Sequence, residues 1–442
     1  MRIEKDSLGE LELEDVYYGI HSKRAIGNFQ IRGRRVNKEL LRAIGLIKIC
    51  SAEANKKAGK IPDDLANIIK KASTKFIEEL DGDIIPLSSI QGGAGTSTNM
   101  YVNEVVANLG LELMGQNKGN YELLDPLNHV NLSQSTNDVY PTALKIAGIK
   151  YLRELLSETM ALQEALQGKE REFSGIYKIG RTQLQDAVPL TLGQEFGAYA
   201  EAISRDRWRL YKIEERLRRI NIGGTAIGTG VGASGKYKFY VTEELQRITG
   251  LGLARAENLI DVTQNLDVFI EVHSLIKTMA SNLNKIAKDL RLMSSQPFGE
   301  IKLKPLQAGS SIMPGKVNPV GCELIQQIFY KICGNDTTLT IACSEGEFEL
   351  NAMTPIIAEV FLESLEILTD GVKAFRETVI KHVEANKEKC SYHLEKSTSK
   401  ITLYIEQFGY EKLVEILKES EKTGNRVEDI INEKIFEMDK LK

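Results

Sequence analysis

The chain is predicted to be mostly α, with a bundle of long helices at its centre, and two observations predict it. All ten prolines lie at or before Pro355, and none falls between Thr142 and Val188, between Leu190 and Gln296, or after Pro355. Proline costs about 3 kcal/mol inside a helix, so these gaps are where long helices can run. Within one gap, Phe269, Val272, Ile276, Met279, Leu283, Ile286, Leu290 and Met293 recur at alternating steps of three and four. That is a heptad seam, the pattern of helices packed at shallow angles. Val268, Ile270, Leu275, Ala280 and Ala287 widen the stripe. A helix buried among several others fits this better than a two-stranded coil.

Taken in order, residues 1–138 mix short helices with polar loops and form an N-terminal domain. Residues 139–386 form the central bundle domain, with helical spacing at 143–166 and 356–380 as well as in the seam. Residues 387–442, richer in Lys and Glu, form a small C-terminal helical domain. A length of 442 residues is enough for a large core.

The net charge of -4 and pI near 6.0 provide no basic field, so neither nucleic acid nor an anionic membrane is an expected partner. No run of about 18 apolar residues occurs, which excludes a membrane-spanning helix. The N-terminus has no apolar run of the kind a signal peptide needs. Cys50, Cys322, Cys333, Cys343 and Cys390 are odd in number, widely spaced and without a C-x-x-C pair. Free thiols in a reducing cytoplasm are expected, with no disulfide framework and no metal site.

Three segments rich in Gly, Ser, Thr and Asn interrupt the helical pattern, Gln91 to Asn99, Asn131 to Asp138 and Asn221 to Gly235, and four motifs carry candidate chemistry. Gly92-Gly93-Ala94-Gly95-Thr96-Ser97-Thr98-Asn99 precedes an apolar helix. Glycine-rich backbone at a helix start offers free N–H groups to an anion, although a simple cap and turn explains it equally well. Ser133-Gln134-Ser135-Thr136-Asn137-Asp138 stands before Pro141, which suits the first turn of a helix. Capping by Asn137 or Asp138 accounts for part of this segment but not all of it. Gly180-Arg181-Thr182-Gln183-Leu184-Gln185-Asp186 precedes Pro189 and a further helix. Its Arg181 and Asp186 suit a structural ion pair better than a catalytic role. Finally, Gln307 to Pro319 reads Gln-Ala-Gly-Ser-Ser-Ile-Met-Pro-Gly-Lys-Val-Asn-Pro. A loop with two hydroxyls, a cation and an amide is either a lid over a small acidic substrate or an idle solvent loop. No His–carboxylate–Ser triad is evident. His129 lies nearest a candidate loop, and His273 falls inside the seam helix as a packed side chain.

Together these segments resemble the aspartase/fumarase superfamily, from Tyr17-Tyr18-Gly19 to about Lys387. The most specific element is Gly309-Ser310-Ser311-Ile312-Met313-Pro314-Gly315-Lys316-Val317-Asn318-Pro319, which is similar to the family's mobile catalytic loop. The resemblance implies a three-domain subunit, a homotetramer with a twenty-helix core, and active sites shared among three subunits. Ala94 and Gln183 are aspartase-like, where fumarases usually carry Ser and His; Gly315 is the fumarase-type choice.

What the resemblance implies chemically is reversible elimination of ammonia from L-aspartate to give fumarate, through an enediolate. Ser310 is then the general base. Thr96, Ser135, Thr136 and Ser311 donate to the β-carboxylate, while Lys316 and Asn318 bind the α-carboxylate. Asn137, Thr182 and Gln183 hold the amino group. No metal or organic cofactor enters these steps. Hydration of fumarate to malate, or a non-catalytic assembly role on the same scaffold, are the alternatives.

Overall fold

A computed structural model of the chain describes residues 1–82 and 85–440. It opens with a hairpin of β1 (Arg2–Asp6) and β2 (Gly9–Leu13), followed by α1 (Ile20–Asn28), α2 (Lys38–Lys57), α3 (Asp63–Glu79) and α4 (Thr96–Leu113). Next is α5 (Thr136–Glu172), then a hairpin of β3 (Tyr177–Thr182) and β4 (Gln185–Thr191), and α6 (Leu192–Leu217). The strand β5 (Arg219–Ile220) precedes α7 (Gly235–Thr249) and pairs in parallel with β6 (Ala254–Arg255). The short α8 (Asp261–Gln264) leads into α9 (Asp267–Ser294). Beyond β7 (Ile301–Lys302) come α10 (Val320–Ser344), the hairpin of β8 (Gly346–Glu347) and β9 (Leu350–Asn351), and α11 (Thr354–Thr378). β10 (Glu384–Ala385) pairs with β7. The chain closes with α12 (Lys387–Lys396), α13 (Ile405–Thr423, kinked at Gly409) and α14 (Val427–Lys440).

The protein is mostly α, and its long helices include α5, α6, α9 and α11, as the proline gaps and the seam predicted, and α10, which lies in none of those gaps. All eight seam residues of α9 are buried, from Phe269 to Met293. No described helix is long and apolar enough to cross a membrane. Two compact units can be distinguished: residues 1–158, 206–281 and 327–371, and residues 159–205, 282–326 and 372–442. In the first, α2 packs on α3, α4 and α7 around Leu40, Leu41, Ile44 and Ile47, all sealed from solvent. In the second, α12 packs on β3, and Ile401, Leu413, Ile416, Val427, Ile430 and Ile431 form a core of their own.

Two details differ from the sequence reading, each for a local reason. Pro141 lies in the second turn of α5, not the first. A proline there strips the Asn137 carbonyl of its helical partner. The buried Asn221 supplies the replacement, donating from Nδ2 to Asn137 O at 2.9 Å. The segment before Pro189 is a β-hairpin, not a loop. Its two-residue turn has Gln183 at φ 54 and Leu184 at φ 63. Such turns favour Asn and Gly, and neither is present to announce it.

His273 is packed inside the first unit. Its Nδ1 is 2.9 Å from Asp336 Oδ1 and its Nε2 is 2.9 Å from Ser364 Oγ, while Lys277 also pairs with Asp336. Burial holds its pKa below the ordinary 6.5, against the pull of Asp336. The unfolded chain therefore takes up a proton below 6.5 that the folded chain resists. The stability this adds is complete above that pH and is lost as pH falls below it. Between about pH 7 and about pH 5, wild type should lose more stability than His273→Gln in denaturant titrations. Equal losses in the two proteins would contradict this.

Candidate active site

Three left-handed residues, Gly93 (φ 88), Ala94 (φ 54) and Gly95 (φ 86), bend the chain into the start of α4. Gly95 is required twice over, because a Cβ there would lie 2.3 Å from the ring of Tyr140. The bend sets Thr96 at the first position of α4, on the wall of a cavity of about 900 Å³ that His21, Arg24, Gly92 and Gly93 also line. Orphan N–H groups at such a helix start suit an anion.

The start of α5 is held by a reciprocal cap. Ser135 Oγ accepts from Asn137 N at 3.3 Å, and Asp138 Oδ1 accepts from Ser135 N at 3.0 Å. Asp138 is fully buried, and its second oxygen accepts from Gly223 N (3.0 Å) and Thr225 N (2.9 Å). One carboxylate thus pins the loop after β5 to the start of α5. Burial pushes its pKa up to about 6, against three backbone N–H donors and the Lys48 charge.

Lys48, on α2, is the counterpart that the sequence reading missed. It is sealed from solvent, and Nζ donates to Asn99 Oδ1 (2.8 Å), Gln134 Oε1 (2.9 Å) and Asn131 Oδ1 (3.0 Å). These acceptors use all three ammonium hydrogens. Burial draws Lys48 down to about 7, with Asp138 opposing. Because Asn99 turns its oxygen to Lys48, its Nδ2 donates to Thr136 Oγ1 at 3.2 Å. The Thr136 hydroxyl hydrogen is then left to point elsewhere. The same holds for Ser135, whose oxygen already accepts from Asn137 N. Asn137 Nδ2 donates to Ala226 O at 2.7 Å, which leaves its side-chain oxygen as the acceptor. The first unit therefore brings Ser135, Thr136 and Asn137 together at one helix start, with Thr136 bonded to α4 through Asn99. His129 stands apart from this chemistry, its Nδ1 accepting from Asp125 N at 2.9 Å.

The remaining candidates lie in the second unit. Thr182 ends β3 and Gln183 opens the turn, both exposed. Gln183 lines a cavity of about 340 Å³ with Arg181, Lys178 and Glu195. Arg181 and Asp186 are ion-paired at 3.4 Å, the structural role expected of them. In the loop from Gly309 to Asn318, Gly309 N donates to Lys316 O at 2.8 Å and Asn318 Nδ2 donates to Gly309 O at 2.8 Å. A Cβ on Gly309 would meet Lys316 O at 2.5 Å, so only glycine allows this closure. Ser310 Oγ accepts from Met313 N (3.0 Å) and Ile312 N (3.2 Å). Ser311 and Lys316 are exposed, and the Lys316 ammonium has no carboxylate partner among the described residues. Asn318 lines a separate cavity of about 670 Å³ with Lys302, Lys304 and His382.

A family profile described as lyase matches residues 9–334. The chain belongs to the aspartase/fumarase superfamily of lyases. It is 45% identical to an aspartate ammonia-lyase of a Bacillus species, over 97% of this chain and 93% of that protein. It is 41% identical to the aspartate ammonia-lyase of Escherichia coli K12, over 98% and 92%. Among solved structures, the class II fumarase of Schistosoma mansoni superposes with a TM-score of 0.93 at 31% identity, covering 98% of this chain and 95% of that one. The superfamily expected from the catalytic-loop motif is therefore the one found.

Gly95→Ala meets both the left-handed backbone and the Tyr140 ring. It should cost at least about 2 kcal/mol in denaturant unfolding. A cost below about 0.5 kcal/mol would show that the bend before Thr96 is not fixed in this way.

Proposed function

We propose that this lyase is an aspartate ammonia-lyase, interconverting L-aspartate with fumarate and ammonia. The observation that carries the reading is Ser310. Its oxygen accepts two backbone N–H bonds, from Ile312 and Met313, within a loop closed by Gly309 and Asn318. Donors aimed at one oxygen stabilise its deprotonated form, and exclusion of water on loop closure strengthens them. Ser310 then removes the proton beside the β-carboxylate.

The carbanion formed is an enediolate with two charges on the former β-carboxylate. Thr96, Ser135, Thr136 and Ser311 donate to it. Thr136 and Ser135 suit this because their oxygens already accept from Asn99 and Asn137, which frees each hydroxyl hydrogen for substrate. Lys316 and Asn318 bind the α-carboxylate, and the unpaired ammonium of Lys316 supports that role. Asn137 has its Oδ1 free for an amino group, and Thr182 and Gln183 complete that end. Ammonium leaves without a strong acid, which agrees with Gln183 at this place. No metal or cofactor enters these steps.

By the resemblance, the enzyme works as a homotetramer with each site drawing on three subunits. We place it in the cytoplasm, in keeping with five free thiols. The division into residues 1–138, 139–386 and 387–442 belongs to the same reading, supported at its C-terminal end by the separate core of Ile401 to Ile431. Fumarase is the second reading, favoured by Gly315 and the class II fumarase likeness.

Ser310→Ala should lower kcat for L-aspartate by roughly 10²-fold or more with the fold intact by circular dichroism. Near-normal turnover would remove Ser310 from the base role. Lys316→Ala should act mainly by raising KM for L-aspartate, by about 10-fold or more. An unchanged KM would contradict the α-carboxylate assignment.

A further inference from the structure

Thr182 and Gln183 are exposed and make no side-chain hydrogen bond among the described residues. Their placement is therefore set by the strand beneath them. In a regular strand, Lys178 and Arg181 would point to opposite faces. The register of β3 against β4 shifts between Ile179 and Arg181, where Ala187 and Val188 of β4 stand opposite the single residue Gly180. A Cβ on Gly180 would meet Val188 O at 2.8 Å. At this irregular point of the ladder both cations turn to one side.

There they meet Glu300, which has no solvent exposure. Its Oε1 is 2.8 Å from Arg181 Nη1 and its Oε2 is 2.9 Å from Lys178 Nζ. Lys178 pairs also with Glu195 at 2.9 Å, and the Arg181 guanidinium lies 4.6 Å from the centre of the Phe298 ring. The backbone of Glu300 is fixed as well, donating to Met293 O and accepting from Asn386 N, each at 2.8 Å. The next residues are β7, the foot of the segment that runs to Ser310.

We propose that Glu300 is a positioning residue for the nitrogen-binding end of the site. Through Arg181 it holds the turn that presents Thr182 and Gln183, and through its backbone it anchors the strand feeding the catalytic loop. The inference rests on the reading that Thr182 and Gln183 hold the substrate's amino group. Arg181 acts on the same turn, and its planar fork matters as well as its charge.

The test compares Arg181→Lys and Glu300→Gln with wild type in the full-length enzyme. KM and kcat are measured with L-aspartate, and Kd is measured by calorimetry for succinate, a dicarboxylate without the amino group. Arg181→Lys keeps the charge opposite Glu300 and is the variant that retains the fold if Glu300→Gln, which removes the buried charge between two cations, does not. Each folded variant should raise KM for L-aspartate about 10-fold while succinate binding changes less than about twofold. In a Gln183→Ala background, Arg181→Lys should add less than about a further twofold. Equal weakening of aspartate and succinate, or effects that multiply in the double variant, would overturn the proposal and leave a purely structural ion cluster. Absence of aspartate turnover in wild type would instead overturn the functional reading, so the two failures are distinct.

Discussion

The carboxylate of Asp138 is the point on which the first unit's part of the site depends. A buried charge is costly unless it is paired and hydrogen-bonded. Asp138 accepts from Ser135, Gly223 and Thr225, and Lys48 contributes a second buried charge of opposite sign. Lys48 in turn fixes Asn99, Asn131 and Gln134. Lys48 sets which way the amides of Asn99, Asn131 and Gln134 point, and Asp138 fixes the backbone around the start of α5. Hydrogen-bond direction thus passes from the interior through Asn99 to Thr136, next to Ser135 and Asn137. A reaction through a doubly charged enediolate needs donors already aimed when charge develops. In the proposed reaction such a network would supply them without a strong acid.

The second unit solves a related problem by backbone geometry. Ser310 sits in a loop whose closure relies on the absence of a Cβ at Gly309 and on the amide of Asn318. Thr182 and Gln183 sit at a turn whose two central residues, Gln183 and Leu184, are left-handed, a conformation that ordinary residues adopt only at a cost of about 1–2 kcal/mol each. Strain of this kind persists where surrounding contacts determine the backbone. The β4 bulge opposite Gly180 and the buried carboxylate of Glu300 are those contacts. In both units, a carboxylate remote from solvent holds polar side chains of the proposed site in place.

Much of this was legible in the sequence. The seam from Phe269 to Met293 and the proline gaps marked the long helices, because helical periodicity and proline's missing N–H act locally. The polar loops at 91–99, 133–138 and 307–319 were visible as composition, and the catalytic-loop motif led to the superfamily. What was not legible depends on residues distant in sequence. Lys48 lies among apolar residues of a helix, where a lysine ordinarily reads as solvent-facing; only the arrival of Asn99, Asn131 and Gln134 makes it a hub. The hairpin turn at Gln183 and Leu184 carries no glycine or asparagine to signal it. Asn221 repairs the bond broken by Pro141, and Glu300 finds Arg181 across more than a hundred residues. None of these pairings has a local signature.

The central claim is that these preorganised donors serve elimination of an amine, not of water. The direct measurement is fumarate formation by the purified wild-type protein, followed by its ultraviolet absorbance, with L-aspartate or L-malate supplied at equal concentration. The account predicts fumarate and equimolar ammonia from L-aspartate, with turnover of L-malate slower by roughly 10²-fold or more. Faster conversion of L-malate than of L-aspartate would contradict it.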